Sequence, residues 1–440
     1  MPLHAYNSDI VFSAPLTLGF SDAVVVGSQG YVYGQGGLFI SLEDFNRISV
    51  AGTIASGGIG AAIVLGSEGD QTIGSHLVVT PTGMVFGQNA LQVFGGSCRV
   101  DNAGTIVGTM VFNGGTSGYG NVIQNSGTIA GAEYGVLGYV YQATEIWIYN
   151  SGVISGAFNA IAFADSQNLA DRVVNSGLIN GVIALGGGSD LYDGRGGGTV
   201  IGSIGGGPGD DRFRPGAAEE VFDGGNGSDT LDFRGGGGAM AIALDNSFDA
   251  DGWAEGDQWS GIENVTGSRG ADRIGGDSAA NALNGAAGDD SISGGSNQDT
   301  LEGGDGNDTL AGGSASDTLT GGSGIDTLTG GSGNDAFLFR RLGEIGDVIT
   351  DFSSSASGND DRIGVSQSGF GAGLALGALA ASRFRARADN VAQDADDRFI
   401  FRGTDQTLWF DSDGNGGAAA VLLADLQPGA SMTAADIVIF

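Results

Sequence analysis

The chain has 440 residues, and its 51 acidic against 17 basic residues give a formal net charge of −34. This balance excludes the basic footprint of a nucleic-acid-binding protein, so we expect no nucleic-acid partner. All 17 basic residues are arginine, which excludes chemistry that needs a lysine, such as a P-loop or a Schiff base. Because 41% of the residues are hydrophobic, we expect folded segments whose charge is offset by bound cations. The chain contains no run of about 18 apolar residues, so no transmembrane helix is predicted. The single cysteine, Cys98, is expected to fill apolar space.

The first part of the chain carries a repeat of roughly 24 residues, with three short apolar runs in each copy. Its clearest copies are DNAGTIVG, QNSGTIAG, YNSGVISG and VNSGLING. This pattern predicts a right-handed parallel β-helix, in which equivalent residues of successive coils stack. The stacked columns would be a hydrogen-bonded ladder of Asn102, Asn125, Asn150 and Asn175 and a core column of Ile106, Ile129, Ile154 and Ile179. An antiparallel β-sandwich with regularly spaced turns is the alternative, and the fixed Asn-x-Gly phase favours the helix.

Residues 285–338 are six consecutive copies of a nine-residue unit, from GAAGDDSIS to GGSGNDAFL. Each copy is a Gly-rich six-residue turn with an acidic residue, followed by a predicted three-residue strand with one inward apolar side chain. Two units per coil would stack every second copy, so that Asp308 shares ions with Asp326, and Asp299 with Asp317. A hard cation takes about six to eight oxygen ligands from carboxylates and carbonyls, so these turns predict Ca²⁺ sites. A flexible Gly/Ser linker is the alternative, but a linker needs neither the acidic nor the apolar phase.

The acidic position of the unit is occupied in the six copies and in four looser copies upstream. These residues are Asp290, Asp299, Asp308, Asp317, Asp326 and Asp335 in the copies, and Asp190, Asp211, Asp229 and Asp272 upstream. The apolar position two residues later holds Ile292, Leu301, Leu310, Leu319, Leu328 and Phe337. At three further turns the acidic position holds Asn281, Glu220 or Thr199, which puts ions at those turns in doubt.

These units resemble the RTX (hemolysin-type) repeat, GGxGxDxUx with U a large apolar residue, closely over residues 285–338 and loosely elsewhere. The resemblance implies a Ca²⁺-binding parallel β-roll that takes up multiple ions. It also implies that carbonyls of the Gly-rich turn join the Asp carboxylates as ligands. The further ligand residues that it implies are Gly294, Gly303, Asp305, Asn307, Gly312, Gly321 and Gly330.

The chain as a whole is predicted to be all-β and to fall into three parts. Residues 1–185 would form the β-helix as an effector or assembly domain, similar to repeats of bacterial surface and autotransporter passenger proteins. Residues 186–338 would form the β-roll, interrupted by an insertion at about 233–266. Residues 339–440 read as strands joined by turns and resemble the C-terminal cap and uncleaved export signal of RTX proteins that use type I secretion. The start lacks a cationic signal-peptide region, which leaves cytoplasmic residence or export by a route without a cleaved N-terminus.

No catalytic residue is assigned from the sequence. The two histidines, His4 and His76, form no HExxH motif, and no G-x-S-x-G occurs. The serious enzymatic alternative is a β-helix polysaccharide lyase or epimerase, which needs carboxylate, Arg, Tyr or His groups on one face. The candidates for such a site are Glu68, Asp70, His76, Arg99, Asp101, Asp171 and Arg172.

Taken together, these patterns predict a secreted, Ca²⁺-binding, non-enzymatic structural protein of a Gram-negative bacterium. It would fold on Ca²⁺ outside the cell and act in a surface layer, filament, matrix or adhesion. Its expected partners are the type I secretion machinery and either further copies of itself or a cell-surface glycan.

Overall fold

The computed structural model describes residues 3–12, 16–18, 23–34, 39–41, 47–57, 60–65, 74–113, 120–139, 144–163, 168–355, 359–371 and 373–440. It divides into two compact units, Met1–Leu231 with Gly256–Ile262, and Asp232–Glu255 with Glu263–Phe440. Almost all regular structure is β. Within the described ranges the helical segments are the α-helix Gln367–Phe370 and the 3₁₀ turns Ala381–Arg383 and Ala434–Asp436. None of these helical segments has the length and apolar character needed to span a bilayer.

The first unit is a parallel β-helix built from two long parallel sheets. The first sheet, called here the Asn-ladder sheet, contains Leu3–Tyr6, Ala23–Val26, Arg47–Val50, His76–Val79, Arg99–Asn102, Asn121–Asn125, Ile146–Asn150, Arg172–Asn175, Leu191–Asp193, Arg212–Arg214 and Thr230–Asp232. The second sheet contains Ile10–Phe12, Leu16–Leu18, Tyr31–Gly34, Phe39–Ser41, Thr53–Ser56, Ala61–Leu65, Met84–Val93, Thr105–Phe112, Thr128–Ala130, Tyr134–Gly138, Val153–Phe163, Leu178–Ala184, Thr199–Ile201, Ser203–Pro208, Val221–Asn226 and Gln258–Ser260.

The repeat of the first part generates this helix because each coil places the same residue types at the same height. Ile106 pairs with Ile129, Ile129 with Ile154, and Ile154 with Ile179, all in parallel register. All four isoleucines are fully buried. The predicted β-helix and its isoleucine column are therefore confirmed, and the antiparallel β-sandwich is wrong.

The predicted asparagine ladder is also present at the turn that ends the Asn-ladder sheet. The side-chain amide of Asn102 donates to Oδ1 of Asn125 (2.7 Å), Asn125 to Asn150 (2.8 Å) and Asn150 to Asn175 (2.9 Å). These side chains are buried, so every coil-to-coil bond satisfies polar groups that would otherwise be costly to bury.

The second unit contains the nonapeptide roll and a capping region. Its strands are Met240–Ala243, Asp251–Gly252, Asn264–Thr266, Arg273–Gly275, Ala282–Ala287, Ser291–Ser296, Thr300–Asp305, Thr309–Ser314, Thr318–Ser323, Thr327–Ser332, Ala336–Phe339, Asp347–Ile349, Ser354–Ser355, Asn359–Asp360, Arg362–Val365, Gly377–Ala378, Phe384–Arg387, Phe399–Arg402, Thr407–Phe410, Val421–Leu426 and Ile437–Ile439. Alternate nonapeptides pair in parallel on opposite sides of the roll, for example Thr300–Asp305 with Thr318–Ser323.

In the six consecutive copies the strands from Ser291–Ser296 to Thr327–Ser332 have six residues and the last, Ala336–Phe339, has four, so the predicted three-residue strand is too short. In Thr300–Asp305 the strand continues through the first three residues of the following Gly-rich turn. Glycine makes this extension feasible because the second residue of the turn, Gly304, lies at φ 118°. The apolar position is confirmed as the core, since the residues from Ile292 to Phe337 at that position are at most 2% exposed.

The insertion and the cap add strands to these sheets within each unit. In the first unit, Gln258–Ser260 pairs with Val221–Asn226, and in the second, Met240–Ala243 pairs with Arg273–Gly275. The cap contains antiparallel strands packed around Phe370, Phe399 and Phe410, whose rings lie 5.0 and 5.2 Å apart. The predicted boundary at residue 185 falls inside the first unit, because both sheets continue past it. The three-part division stays a prediction.

Candidate metal centre

The aspartates of the nonapeptide turns form two columns, each built by one hydrogen bond repeated from coil to coil. The backbone N–H of each aspartate donates to Oδ1 of the aspartate 18 residues later. The pairs are Asp290 to Asp308 (2.8 Å), Asp308 to Asp326 (2.8 Å), Asp299 to Asp317 (2.9 Å) and Asp317 to Asp335 (2.9 Å). The predicted stacking of every second copy is confirmed.

The second carboxylate oxygen of these aspartates has no protein donor. Oδ2 is buried and accepts no hydrogen bond from the described residues at Asp290, Asp299, Asp308, Asp317, Asp326 and Asp335, nor at Asp211 in the first unit. A buried carboxylate oxygen without a donor or counter-charge is strongly unfavourable. Each of these turns therefore presents one buried carboxylate oxygen that the described residues do not satisfy.

Burial and mutual repulsion make the ionised carboxylates costly. The pKa of Asp308 is raised to about 7, first by burial and then by the charges of Asp326 and Asp290, against the hydrogen bond of the Asp290 N–H. Burial also raises the pKa of Asp299 and Asp317 to about 6 each. A cation among these columns would remove both the desolvation cost and the repulsion.

Glycine at the first position of each turn keeps a space open beside the Oδ2 atom that lacks a donor. A Cβ added to Gly303 would collide with Oδ2 of Asp308 and would come within 2.5 Å of the carbonyl oxygen of Gly321, one coil further on. The same two kinds of oxygen crowd Gly285, Gly294 and Gly312, where the carbonyl lies 2.6 to 2.7 Å from such a Cβ. The turns thus bring carboxylate and carbonyl oxygens to one small space, which is the ligand set that Ca²⁺ prefers.

The structure places the other predicted ligands around the same turns, with differing roles. Gly294, Gly303, Gly312, Gly321 and Gly330 all occupy the first turn position, each against the Oδ2 of an aspartate. The carbonyl of Asp305 accepts a hydrogen bond from the N–H of Gly288 (2.8 Å), which leaves one lone pair for an ion.

Asn307 belongs to a surface ladder that the sequence analysis missed. Its N–H donates to Oδ1 of Asp289 (2.8 Å), and its own Oδ1 accepts from the N–H of Ile325 (2.9 Å). This ladder runs in the opposite sense to the buried aspartate columns. The available signal was a short polar side chain just before the acidic position, as in Asp289 and Asn307.

In three turns the second residue does not adopt a positive φ, and its N–H donates to the side chain at the acidic position of the same turn. At Asp272, Oδ2 accepts from the N–H of Ser268 (2.6 Å), while Oδ1 accepts from the Ser268 hydroxyl and the Met240 N–H (2.8 Å each). The Asp277 N–H likewise donates to Oδ1 of Asn281, and the Gly216 N–H to Oε2 of Glu220 (2.8 Å each). The predicted ligand Asp272 therefore differs from the six aspartates from Asp290 to Asp335, whose Oδ2 atoms have no donor among the described residues.

The aspartate column of the first unit begins earlier than the sequence analysis placed it. Asp171 donates its N–H to Oδ1 of Asp190 (2.7 Å), Asp190 to Asp211 (2.8 Å) and Asp211 to Asp229 (2.7 Å). Oδ1 of Asp171 in turn accepts from the N–H of Ile146 (2.5 Å). Asp171 is 2% exposed, so it is a ladder residue and not a surface catalytic carboxylate.

Two cap aspartates continue the columns of the roll and were not predicted as site residues. Oδ1 of Asp347 accepts from the N–H of Asp326 (3.1 Å), and Oδ1 of Asp361 from the N–H of Asp335 (3.0 Å). Their separations of 21 and 26 residues break the nine-residue period. The remaining signal was local, since Asp347 and Asp361 each stand two residues before a buried isoleucine, as in the repeat.

The donor set fits a hard cation held largely by backbone oxygens. No group of three or more His, Cys, Asp or Glu side chains within the described ranges is arranged to hold a metal. Ions at these turns would therefore depend on one or two carboxylates together with carbonyls, as Ca²⁺ accepts and thiophilic metals do not.

Of the remaining catalytic candidates, three form a cluster, and Arg172 lies three strands away from Arg99 in the same sheet. His76, Arg99 and Asp101 lie together on the Asn-ladder sheet, where His76 Nε2 is 2.8 Å from Asp101 Oδ2 and Arg99 Nε is 2.8 Å from Asp101 Oδ1. Burial raises the pKa of Asp101, but the hydrogen bonds and charges of Arg99 and His76 outweigh it and lower that pKa. A carboxylate held ionised between two donors is a weak proton acceptor. Glu68 and Asp70 lie outside the described residues.

Stacked nonapeptide turns with orphaned, buried carboxylates define a cation-binding parallel β-roll. Four stretches of the chain, residues 204–231, 260–292, 275–310 and 311–339, match the family model of the RTX calcium-binding nonapeptide repeat. The chain therefore contains RTX calcium-binding repeats within a β-solenoid, and this family implies that it binds Ca²⁺. Among curated proteins no match to the chain is found.

Proposed function

We propose that the protein is a secreted, calcium-binding structural protein whose β-roll folds on Ca²⁺ after export. The observation that carries this proposal is the row of buried Oδ2 atoms without donors, from Asp290 to Asp335, beside glycine carbonyls. The match to RTX repeats, which suggest a secreted protein, supports the same reading.

The mechanism is a switch between disorder and order. Where Ca²⁺ is scarce, as in a bacterial cytoplasm, the stacked carboxylates repel one another and destabilise the roll, so the acidic C-terminal part stays unfolded for type I secretion. Outside the cell, sites with a Kd on the order of 10⁻⁴–10⁻³ M are occupied. An ion that binds only the folded state adds about 1.4 kcal/mol per site when its concentration is about ten times Kd, and many sites add together.

The test is a Ca²⁺ titration of the full chain after treatment with chelator, followed by circular dichroism and by hydrogen exchange of individual segments. We expect the strands from Ala282–Ala287 to Ala336–Phe339 to lose protection in chelator and to regain it with Ca²⁺, whereas Mg²⁺ restores little. The isoleucine column of the β-helix should keep its protection throughout. Full protection of the roll in chelator would contradict the proposal.

A matched pair of variants links the switch to the buried oxygens. Asp308→Asn keeps an Oδ1 acceptor for the Asp290 N–H but removes the charged Oδ2, so the midpoint of the Ca²⁺ titration should rise several-fold. Asp245→Asn makes the same change of charge on an exposed side chain of the second unit, whose Oδ1 accepts from the Ser247 N–H (2.8 Å). This control should leave the midpoint unchanged, and equal effects of the two variants would indicate general electrostatics.

The β-helix of the first unit is proposed as the part that acts outside the cell. Its long, regular faces suit self-association in a surface layer or filament, or adhesion to a cell-surface glycan. The enzymatic alternative, a polysaccharide lyase or epimerase, has less support because Asp101 is held ionised by His76 and Arg99. Loss of a measured polysaccharide-cleaving activity in Asp101→Ala or Arg172→Ala would reverse that preference.

A further inference from the structure

The basic residues of the β-helix are concentrated on one line of the structure. Residues 1–185 contain three arginines, Arg47, Arg99 and Arg172, against 11 acidic residues. The strand register places Arg47 beside His76, and His76 beside Arg99. The same line continues through Val122 and Trp147 to Arg172. The three arginines of residues 1–185 and His76 therefore occupy one column of the Asn-ladder sheet, called here the basic column.

The basic column offers positive charges that few acidic side chains on the same strands offset. Arg47 and Arg99 stand two strands apart, on either side of His76, and Arg172 stands three strands beyond Arg99. Between His76–Val79 and Arg172–Asn175, Asp101 is the one acidic residue at an outward position of these strands, and it contacts both His76 and Arg99. Guanidinium groups spaced in this way suit a ligand that carries several negative charges along its length.

Two aromatic residues lie within the same surface. Trp147 stands in the basic column and is 38% exposed, although large aromatic side chains are normally buried. Tyr149 is two residues further along the same strand, and the Arg172 guanidinium lies 5.9 Å from the centre of its ring. Nε of Arg172 is buried without a hydrogen-bond partner in the described part of the chain. Flat apolar faces next to guanidinium groups suit a ligand that is both ring-shaped and anionic.

A groove runs beside the basic column, between the outward residues of the sheet and the turns that follow the asparagine ladder. Its volume is about 620 Å³, and its lining includes Val78, Asp101, Gln124, Tyr149, Val174 and Ser126. It crosses five strands, which at about 4.8 Å per strand corresponds to a length of roughly 19 Å. An extended chain molecule fits such a groove better than a compact metabolite.

We propose that the basic column and this groove bind a polyuronate, a polysaccharide whose pyranose rings carry carboxylates. In a hexuronic acid the carboxylate is attached directly to the ring, so a ring stacked on Trp147 brings its carboxylate one strand spacing away, to Arg172. The carboxylate of Asp101 would accept hydrogen bonds from sugar hydroxyls, and the amide N–H groups of Gln124 would donate to them. This inference rests on the proposed function and names the glycan that the β-helix would hold outside the cell.

The test uses the full chain in Ca²⁺ and soluble oligogalacturonates, with binding measured by calorimetry. We expect binding that weakens as NaCl rises, and no binding of neutral dextran oligosaccharides. Trp147→Ala and Arg172→Gln should each weaken binding at least about tenfold. Phe158→Ala removes an aromatic residue that is 63% exposed on the other sheet, and Arg269→Gln removes an exposed arginine of the second unit. Both controls should bind as the unmodified protein does.

Several outcomes would overturn the proposal. These are an absence of binding, equal binding of dextran, binding of dextran sulfate but not of oligogalacturonate, or unchanged affinity in both face variants. Loss of self-association in Arg172→Gln without any oligogalacturonate binding would assign the face to a second copy of the chain. Circular dichroism verifies that each variant folds. The Ca²⁺ titration is a separate measurement, so failure of glycan binding and failure of calcium-dependent folding are distinguished.

Discussion

Asp308 donates its backbone N–H to Oδ1 of Asp326, 18 residues later, over 2.8 Å. The bond uses one oxygen of the Asp326 carboxylate and leaves Oδ2 buried without a donor among the residues that the structure describes. The same half-satisfied state recurs along both aspartate columns of the roll. The columns are therefore ordered by hydrogen bonds of the protein, and under the proposed function bound cations supply the charge that neutralises them.

A methyl group at Gly303 should disturb this arrangement by steric contact alone. Gly303 does not adopt a positive φ, yet a Cβ there would collide with Oδ2 of Asp308 and crowd the carbonyl of Gly321. We expect Gly303→Ala to raise the Ca²⁺ midpoint and to lower the free energy of unfolding in Ca²⁺ by about 1–3 kcal/mol. Urea denaturation at fixed Ca²⁺ measures the second quantity. Gly237→Ala, where a Cβ meets nothing within 4 Å, is the control, and equal losses in both variants would contradict the steric explanation.

The asparagine ladder should contribute stability that does not depend on Ca²⁺. Asn150 is 2% exposed, accepts from Asn125 and donates to Asn175. Asn150→Ala leaves both neighbours short of a partner, so we expect a loss of about 1–3 kcal/mol in the free energy of unfolding. Hydrogen exchange of the strand Ile146–Asn150 should show the same loss in chelator and in Ca²⁺. Gln124→Ala, on the exposed face, should have little effect, and a Ca²⁺-dependent loss at Asn150 would be unexpected.

Asp257 should make the stability of the first unit dependent on pH. The residue is 7% exposed, Oδ1 accepts from the Glu220 N–H (2.8 Å), and the pKa is raised to about 8 by burial and by the charges of Glu220 and Glu219. Between its ordinary value of 3.8 and about 8, the folded state holds a proton that the unfolded state releases. The free energy of unfolding therefore falls as pH rises, by up to about 1.4 kcal/mol per pH unit.

The variant Asp257→Asn isolates this effect, because the amide keeps an acceptor for Glu220 without a titrating charge. Relative to the unmodified protein, its stability should increase from about pH 5 to about pH 8. Urea midpoints in excess Ca²⁺ measure the difference, because the titration of carboxylates that do not interact with Asp257 cancels between the two proteins. Parallel profiles of the two proteins would show that Asp257 titrates in its ordinary range.

The assembly role predicts that Ca²⁺ changes the mass of the protein in solution. We expect chelator-treated protein to scatter light as a monomer whose roll is unfolded, and Ca²⁺ to produce larger, ordered assemblies that chelator reverses. Static light scattering during a Ca²⁺ titration measures this directly. A compact monomer at every Ca²⁺ concentration would restrict the ion to a folding role and would remove the surface layer and the filament from the proposal.

The strictly periodic parts of this protein could be predicted from its sequence. Asp326 lies above Asp308 because two nine-residue units make a coil of constant length, and equal coils place equal positions at equal heights. Asn125 follows Asn102 by 23 residues and Asn150 follows Asn125 by 25, and there the recurring Asn-x-Gly motif identifies the column. The same period, with glycines before the acidic residue, was sufficient to indicate Ca²⁺ as the ion.

Only the tertiary structure showed which residues meet where the spacing along the chain is irregular. Asp347 joins the column of Asp326 across a 21-residue spacing, and His76 lies between Arg47 and Arg99 although the coils differ in length. It also decided which carboxylates need a cation, since Asp272 and Asp308 occupy the same repeat position but only Asp272 has backbone and hydroxyl donors for both oxygens. Such differences depend on the direction in which one N–H points, and that direction follows from the φ of a neighbouring residue rather than from the period.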